Sequence, residues 1–312
     1  MSLVHGSTVL AESAGRALGG VIGKIKTLKD VGFRTYTTLY QACVCPILDY
    51  SAGVWGQGRF PKSVAVHNRA IRYFLGVHRY APMAAVSGDM GWEPCEVRWK
   101  VCTARLWNRL VNMNDNRLTK KVFNWDRQQN GPWIEDMRDM FCEYGFEEVF
   151  LRAEQVNILS LKEMLSDKTK RTWSEEIWSK PKLRTYREMK YDYYTENYVL
   201  FNLTKKRRSL CAQIRGGILP LCIETGRYVG SDEDERICQM CELNEIENEY
   251  HFVLYCPFYW RAREELFNSI NYVHMLDISD SQLINCLFEK HVYKMAKYLE
   301  KAWELRKKAL YS

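Results

Sequence analysis

Apolar residues recur at intervals of three and four along most of this chain, and alternation with period two is almost absent. The clearest helix follows Pro94, where EVRWKVCTARLWNRLVNM is read as setting Val97, Val101, Arg105 and Leu106, then Leu110, near one face. The same spacing predicts helices over 11–26, 35–55, 61–75, 83–90, 115–125, 133–143, 158–166, 171–178 and 288–310. In the last of these, Val292, Met295, Leu299 and Trp303 share a face. Gly15, Gly19, Gly20 and Gly23 weaken the first helix by up to about 1 kcal/mol each relative to Ala. Pro46 lacks a backbone donor and should kink or break the 35–55 segment. Pro61 suits a first helical turn, and Gly76 and Gly91 suit helix ends. Strand-like alternation is confined to short pieces near 222–229 and 251–255, and NGPW at 130–133 is a seam between two halves. The pattern predicts a mainly α fold of multi-helix bundles.

A length of 312 residues admits about two domains. Net charge of +7 permits a polyanionic partner without requiring one. No apolar run reaches the length of a membrane span, and the first residues lack the basic and apolar regions of a secretory signal. The eleven cysteines are scattered and odd in number. They fit reduced thiols in an intracellular protein, nuclear or cytoplasmic, better than a disulfide framework.

Four residues change this picture. Cys238, Cys241, His251 and Cys256 follow the pattern C-x2-C-x9-H-x4-C. A C-x2-C turn presents two thiolates to one ion, and zinc takes four such ligands as a tetrahedron. One helical turn or a strand-like crook across HFVLYC would bring the second pair to the same ion, with FVLY packed beneath it. The spacing predicts one structural zinc and a small zinc-stabilised module near the C-terminus. The alternative is three buried thiols and a core histidine. Four protein ligands leave no open position for a reacting water, and the zinc-deaminase signature is absent.

Ahead of this cluster the chain is basic and aromatic. Lys205, Lys206, Arg207 and Arg208 form a run, followed by Arg215 and Arg227, with Tyr186, Tyr191, Tyr193 and Tyr194 nearby. Such residues suit phosphate contact and base stacking, and equally suit a solvated helix face with core aromatics. Residues 231–250 carry eight acids against one arginine. They argue against nucleic-acid gripping by the cysteine loop and raise the alternative that the acidic and basic blocks pair with each other.

Several strings resemble the region downstream of the catalytic palm in non-LTR retrotransposon reverse transcriptases of the jockey-like kind. They are AGRALGGVIGK, LYQACVCPILDYSAGVWG, NRAIRYFLGVHRYAP, MGWEPCEVRW, KPKLRTY, RSLCAQIRGGILPLCIETGRY, and the closing C-x2-C with HFVLYC and PFYWRAR. They span about residues 10 to 265. The resemblance implies a thumb-like helical domain over 1–130, a helical connector with the basic segment over 131–230, and the zinc module with terminal helices over 231–312. It further implies duplex-backbone contacts by Lys24, Lys26, Arg69, Arg72 and Arg79.

The departure from that family is chemical. Its polymerase holds two metal ions with an Asp pair, and this sequence contains no Asp-Asp dipeptide. The fingers and palm would lie upstream of Met1. The expected function is therefore a catalytically inactive C-terminal portion of an RNA-directed DNA polymerase, binding RNA or DNA weakly through its backbone. The missing polymerase domains or another protein are further candidate partners. The alternative is a zinc-stabilised helical protein-interaction domain of a domesticated element, with no nucleic-acid role. Asp49 reads as a helix-terminal acid beside aromatic packing, and Trp55 and Trp92 as core anchors.

Overall fold

The computed structural model describes residues 3–270 and 278–311. Among these residues it contains eighteen α-helices, a few single turns of other helix types and no strand. The only sheet-like pairing among them is an isolated antiparallel bridge between Ile237 and Ile246. The mainly α class follows from the period of the apolar positions.

Local departures have local causes. The 35–55 segment is three helices, Phe33–Cys43, Cys45–Leu48 and Ala52–Trp55, and Pro46 sits in the first turn of the second, where no donor is needed. The alternating stretch at 222–229 is a helix, Cys222–Val229, ended by Gly230 at φ 76°. Residues 251–255 form one turn of π-helix rather than a strand. The segments expected at 158–166 and 171–178 are one helix, Ile158–Ser179. The terminal helix starts at Val292, after a separate helix Asp280–Lys290 with a Ser279 capping box. His291 breaks the two apart by leaving helical dihedrals at φ −126°, ψ 30°. At the 130–133 seam, Asn130 at φ 50° and Pro132 in a first turn separate Leu118–Gln129 from Pro132–Glu143.

The chain forms two compact units, neither continuous in sequence. The first comprises 1–24, 38–68 and 93–172, and the second 25–37, 69–92 and 173–312. In the first unit, Cys95–Val111 is the central helix. Trp107 is fully buried, stacked on Phe150 at 5.4 Å and edge-on to Phe141 at 5.3 Å and Phe123 at 5.5 Å. Its indole N–H donates to the Glu154 carbonyl at 2.9 Å. A second aromatic cluster joins Trp55, Phe60 and Trp99. Gly56 allows it, because a Cβ there would stand 2.8 Å from that of Trp99. Asp49 caps a short helix, accepts from the Trp99 indole at 2.8 Å and pairs with Arg98 at 2.9 Å.

The second unit has a polar centre. Asp89 accepts from Tyr186 at 3.0 Å, Tyr198 at 2.8 Å and Arg215 at 3.0 Å. Arg215 also pairs with Glu196 at 3.1 Å, and Glu196 with Lys190 at 2.7 Å. All four charged residues are buried, and two anions balance two cations, the condition under which such a cluster is tolerated. Burial, then the Asp89 carboxylate, pushes the Tyr186 and Tyr198 hydroxyls well above their ordinary range, so they serve as donors.

Candidate metal centre

Two elements of the second unit build the cluster. The first is the turn holding Cys238 and Cys241. The Cys238 amide donates to the Glu245 carbonyl at 2.8 Å, the Glu247 amide returns a bond to the Arg236 carbonyl at 3.0 Å, and the Ile237–Ile246 bridge lies between them. The Met240 amide points at the Cys238 sulfur at 3.4 Å, the arrangement that stabilises thiolate charge. The second element is the π-turn. In an α-helix, residues five apart sit about 140° apart around the axis. The wider i→i+5 turn, closed here by the Cys256 amide on the His251 carbonyl at 2.8 Å, returns both side chains to one side. The H-x4-C spacing and the π-turn are one fact seen in sequence and in structure.

The ligand atoms of Cys238, Cys241, His251 and Cys256 all lie within 4.8 Å of one another. Bonds of about 2.3 Å to sulfur and 2.0 Å to nitrogen predict tetrahedral edges of about 3.8 Å for S···S and 3.5 Å for S···N. The Cys238–Cys256 sulfurs are 3.9 Å apart, and Cys241 Sγ is 3.4 Å from His251 Nε2. These two edges match those of a tetrahedral ion. These residues can hold a metal ion.

The surroundings orient the ligands. Glu245 Oε2 lies 3.0 Å from His251 Nδ1 and fixes the ring with Nε2 toward the sulfurs, as carboxylates do for metal-bound imidazoles. Phe252, Val253 and Leu254 are buried beneath the turn, while Tyr255 is exposed. Arg263 donates to the Val253 carbonyl at 3.0 Å and the Cys256 carbonyl at 2.6 Å. Tyr298 donates to the Phe252 carbonyl at 2.8 Å. Glu247 is fully buried, binds Arg306 of the terminal helix, and accepts from the Cys222 amide at 2.8 Å. The contact with Cys256, then burial, pushes the Cys238 thiol up to about 12, whereas the same contact holds Cys256 below the ordinary thiol range. A cation is bound by thiolates, and Cys238 and Cys241 hold their protons above the ordinary thiol range, so uptake is coupled to proton release.

The cations expected to touch nucleic acid are dispersed. Arg208 is buried and bound to Asp30 at 3.0 Å and to the Phe74 carbonyl at 2.8 Å. Arg215 is buried in the Asp89 cluster. Neither offers its guanidinium to a phosphate. Arg207 pairs with Glu300 at 2.7 Å, and Lys206 with Glu300 at 3.3 Å and with Glu304. Lys206, Arg207, Arg208 and Arg215 thus pair with Asp30, Asp89, Glu196 and the terminal helix, whereas Arg184, earlier in the basic stretch, meets 231–250 at Glu249. In that acidic segment, Glu247 and Glu249 are taken by Arg306 and Arg184. Arg227 is exposed, 3.8 Å from Glu224.

In the second unit, Lys26, Arg69 and Arg79 are exposed and Arg72 is half-buried, its Nε without a hydrogen-bond partner. Lys205 lies over the Tyr73 ring at 3.9 Å. Burial, with Arg208 and Lys26 nearby, holds its ammonium below the ordinary lysine range against the pull of Asp30. Lys24 is exposed in the first unit.

Sequence reasoning found the four ligands and missed Glu245, Glu247, Arg263, Tyr298 and Arg306. The two acids sit in a run that reads as solvated, and their partners come from far along the chain. One signal was available for the arginines. Arg208, Cys211, Ala212 and Arg215 stand at i, i+3, i+4 and i+7, a spacing that puts both guanidinium groups on the apolar side of their helix.

Compared with known proteins, the chain matches no protein-family model, no curated protein and no solved structure. What the fold and site define is a class, a mainly helical protein with a Cys3His group suited to a metal ion.

Proposed function

We propose that this protein is a zinc-braced helical binding unit of the kind that follows the palm in non-LTR retrotransposon reverse transcriptases, acting in the nucleus or cytoplasm. It contacts RNA or DNA by the backbone and performs no nucleotidyl transfer by itself. The observation that carries the reading is the donor set of three sulfurs and one imidazole nitrogen gathered within 4.8 Å, two of its edges at tetrahedral length. Thiolate-rich tetrahedral sites suit zinc, and closed ones are structural. The ion holds the turn at 238–241 against the π-turn, and Glu247 and Arg306 extend that order to the terminal helix.

Nucleic-acid contact then falls to Lys26, Arg69, Arg72, Arg79 and Lys205 of the second unit, because the remaining candidates there are buried or paired with a carboxylate. The test has two stages. Elemental analysis of the purified chain should return one zinc, lost in the Cys238→Ser, Cys241→Ser variant. Binding of a random-sequence RNA should then weaken with salt, with a logarithmic slope of about 0.7 per phosphate contacted on a single strand. Changing Lys26, Arg69 and Lys205 to Glu should flatten that slope. A zinc-free folded protein sinks the first stage, and a salt-independent affinity sinks the second.

A further inference from the structure

The helix Leu118–Gln129 of the first unit buries Lys120 and Phe123 and turns another face outward. On that face Leu118, Val122 and Trp125 are 76%, 54% and 62% exposed. Their i, i+4, i+7 spacing makes them one continuous ridge. Single exposed apolar side chains are ordinary, but three in a row ending in tryptophan mark an interaction surface.

A second observation lies at the start of the same helix. Arg117, the residue before Leu118, lines an open hollow of about 560 Å³ together with Arg109, Asn112, Asn114 and Gln155. No carboxylate lines it, and among the described residues neither arginine has an ion-pair partner. Lys120 turns inward and takes the carbonyls of Leu110 at 3.0 Å and Val111 at 2.8 Å, so these two carbonyls at the end of the preceding helix are neutralised. Lys121 adds an exposed cation three residues from Leu118, beside the ridge. The helix therefore carries an exposed apolar row, with a cationic, amide-rich hollow beside its first residue.

We infer that this face docks an acidic amphipathic helix of a protein partner. Aliphatic side chains at helical spacing lie along Leu118, Val122 and Trp125, and an Asp or Glu carboxylate enters the socket between Arg109 and Arg117. Charge complementarity selects the acid, since bidentate arginine–carboxylate pairs are the strong form of that contact. The ridge selects a helix, whose anchors repeat at the same interval. A single-stranded nucleic acid would use the arginines and a tryptophan face but leave Leu118 and Val122 without a partner. The acidic helix accounts for both observations.

The test is a phage-displayed library of randomised 16-residue peptides, selected on the full chain and counter-selected on a Trp125→Ala, Arg117→Glu variant. Both positions are exposed, and circular dichroism with a melting curve verifies that the variant folds. Enriched sequences should share aliphatic residues at i, i+3 or i+4, and i+7, with several Asp or Glu. A fluorescein-labelled synthetic peptide from that set should bind the wild type, lose at least about tenfold in affinity to Trp125→Ala, and fail to saturate the Arg109→Glu, Arg117→Glu protein. The inference is overturned by no enrichment, by basic or proline-rich winners, or by affinity indifferent to Trp125→Ala. It is equally overturned if labelled oligouridylate binds through Arg109 and Arg117 while Leu118→Ser, Val122→Ser has no effect. In that case the socket belongs to a single strand.

Discussion

The two units are held together by different chemistry. Around Trp107 the first packs aromatic rings on aromatic rings, and the Trp107 indole N–H is satisfied by a backbone carbonyl. The second carries its buried charges in the Asp89, Arg215, Glu196 and Lys190 cluster and its thiols in the Cys238 group. Apolar burial is non-directional and tolerates substitution in proportion to the volume lost. Buried charges and metal ligands are all-or-none, because removing one member strands the rest in a medium that cannot solvate them. The second unit should therefore fail sharply where the first yields by degrees.

The largest expected effect is metal removal. Structural zinc in small modules supplies apparent free energies of about 10–16 kcal/mol at neutral pH. Chelation should abolish hydrogen-exchange protection across 222–263 and around Arg306, since Glu247 ties the terminal helix to the cysteine turn. Amides around Trp107 should keep their protection. Equal loss in both regions would break the contrast between the units.

Next is the charge cluster. Asp89→Ala leaves Arg215 facing only Glu196, and should cost about 3–5 kcal/mol in denaturant unfolding. Adding Arg215→Met to Asp89→Ala should recover part of that loss, which no independent pair of sites would do. Additive losses would mean that Asp89 acts mainly as an acceptor for Tyr186 and Tyr198 rather than as the counter-ion of Arg215.

How much of this could be read from the chain differs between the same regions. The helices of the first unit were legible because a period of 3.6 is a local property, carried in Cys95–Val111 by the buried Val97, Val101, Ala104 and Trp107. The four ligands were legible because thiols and an imidazole at ligand spacing carry their chemistry with them. The charge partners were not. Asp89 meets Arg215 across 126 positions and Asp30 meets Arg208 across 178, and nothing local marks an acid as buried. The run Lys205–Arg208 reads as one basic patch, yet its four side chains go to an aromatic ring, two glutamates and a half-buried aspartate. Strand-like alternation at 251–255 was misleading, because a π-turn also departs from the α period.

A subtler effect is tied to pH and belongs to the first unit. His67 is buried, with Nδ1 2.8 Å from the Tyr40 hydroxyl, and burial, reinforced by Arg98, lowers its pKa to about 3. The folded chain keeps the ring neutral, whereas the unfolded chain protonates it below the ordinary value of about 6.5. Stability from this residue is thus complete above pH 6.5 and falls as pH drops toward 3. The slope of about 1.4 kcal/mol per unit gives a loss of about 2 kcal/mol by pH 5. Comparing His67→Gln with the wild type over that window isolates the effect. Parallel pH profiles would show that the ring is reached by water in the folded state.

The smallest expected effect concerns Lys206, and it separates two uses of a surface cation. Its ammonium is about half exposed and meets Glu300 and Glu304 of the terminal helix. Exposed pairs of this kind contribute little to stability, and salt screens them further. Lys206→Ala should therefore shift the unfolding midpoint barely, and less still at high salt. Its effect on RNA affinity should also be small, because the two glutamates compete with any phosphate for the same ammonium. Glu300→Gln, Glu304→Gln should act in the opposite sense, freeing Lys206 and Arg207 and raising RNA affinity at low salt. If that double change leaves RNA binding untouched while Lys205→Glu reduces it, nucleic-acid contact lies on the Tyr73 side of this helix. If neither change matters, the basic helix serves only to hold the terminal helix in place.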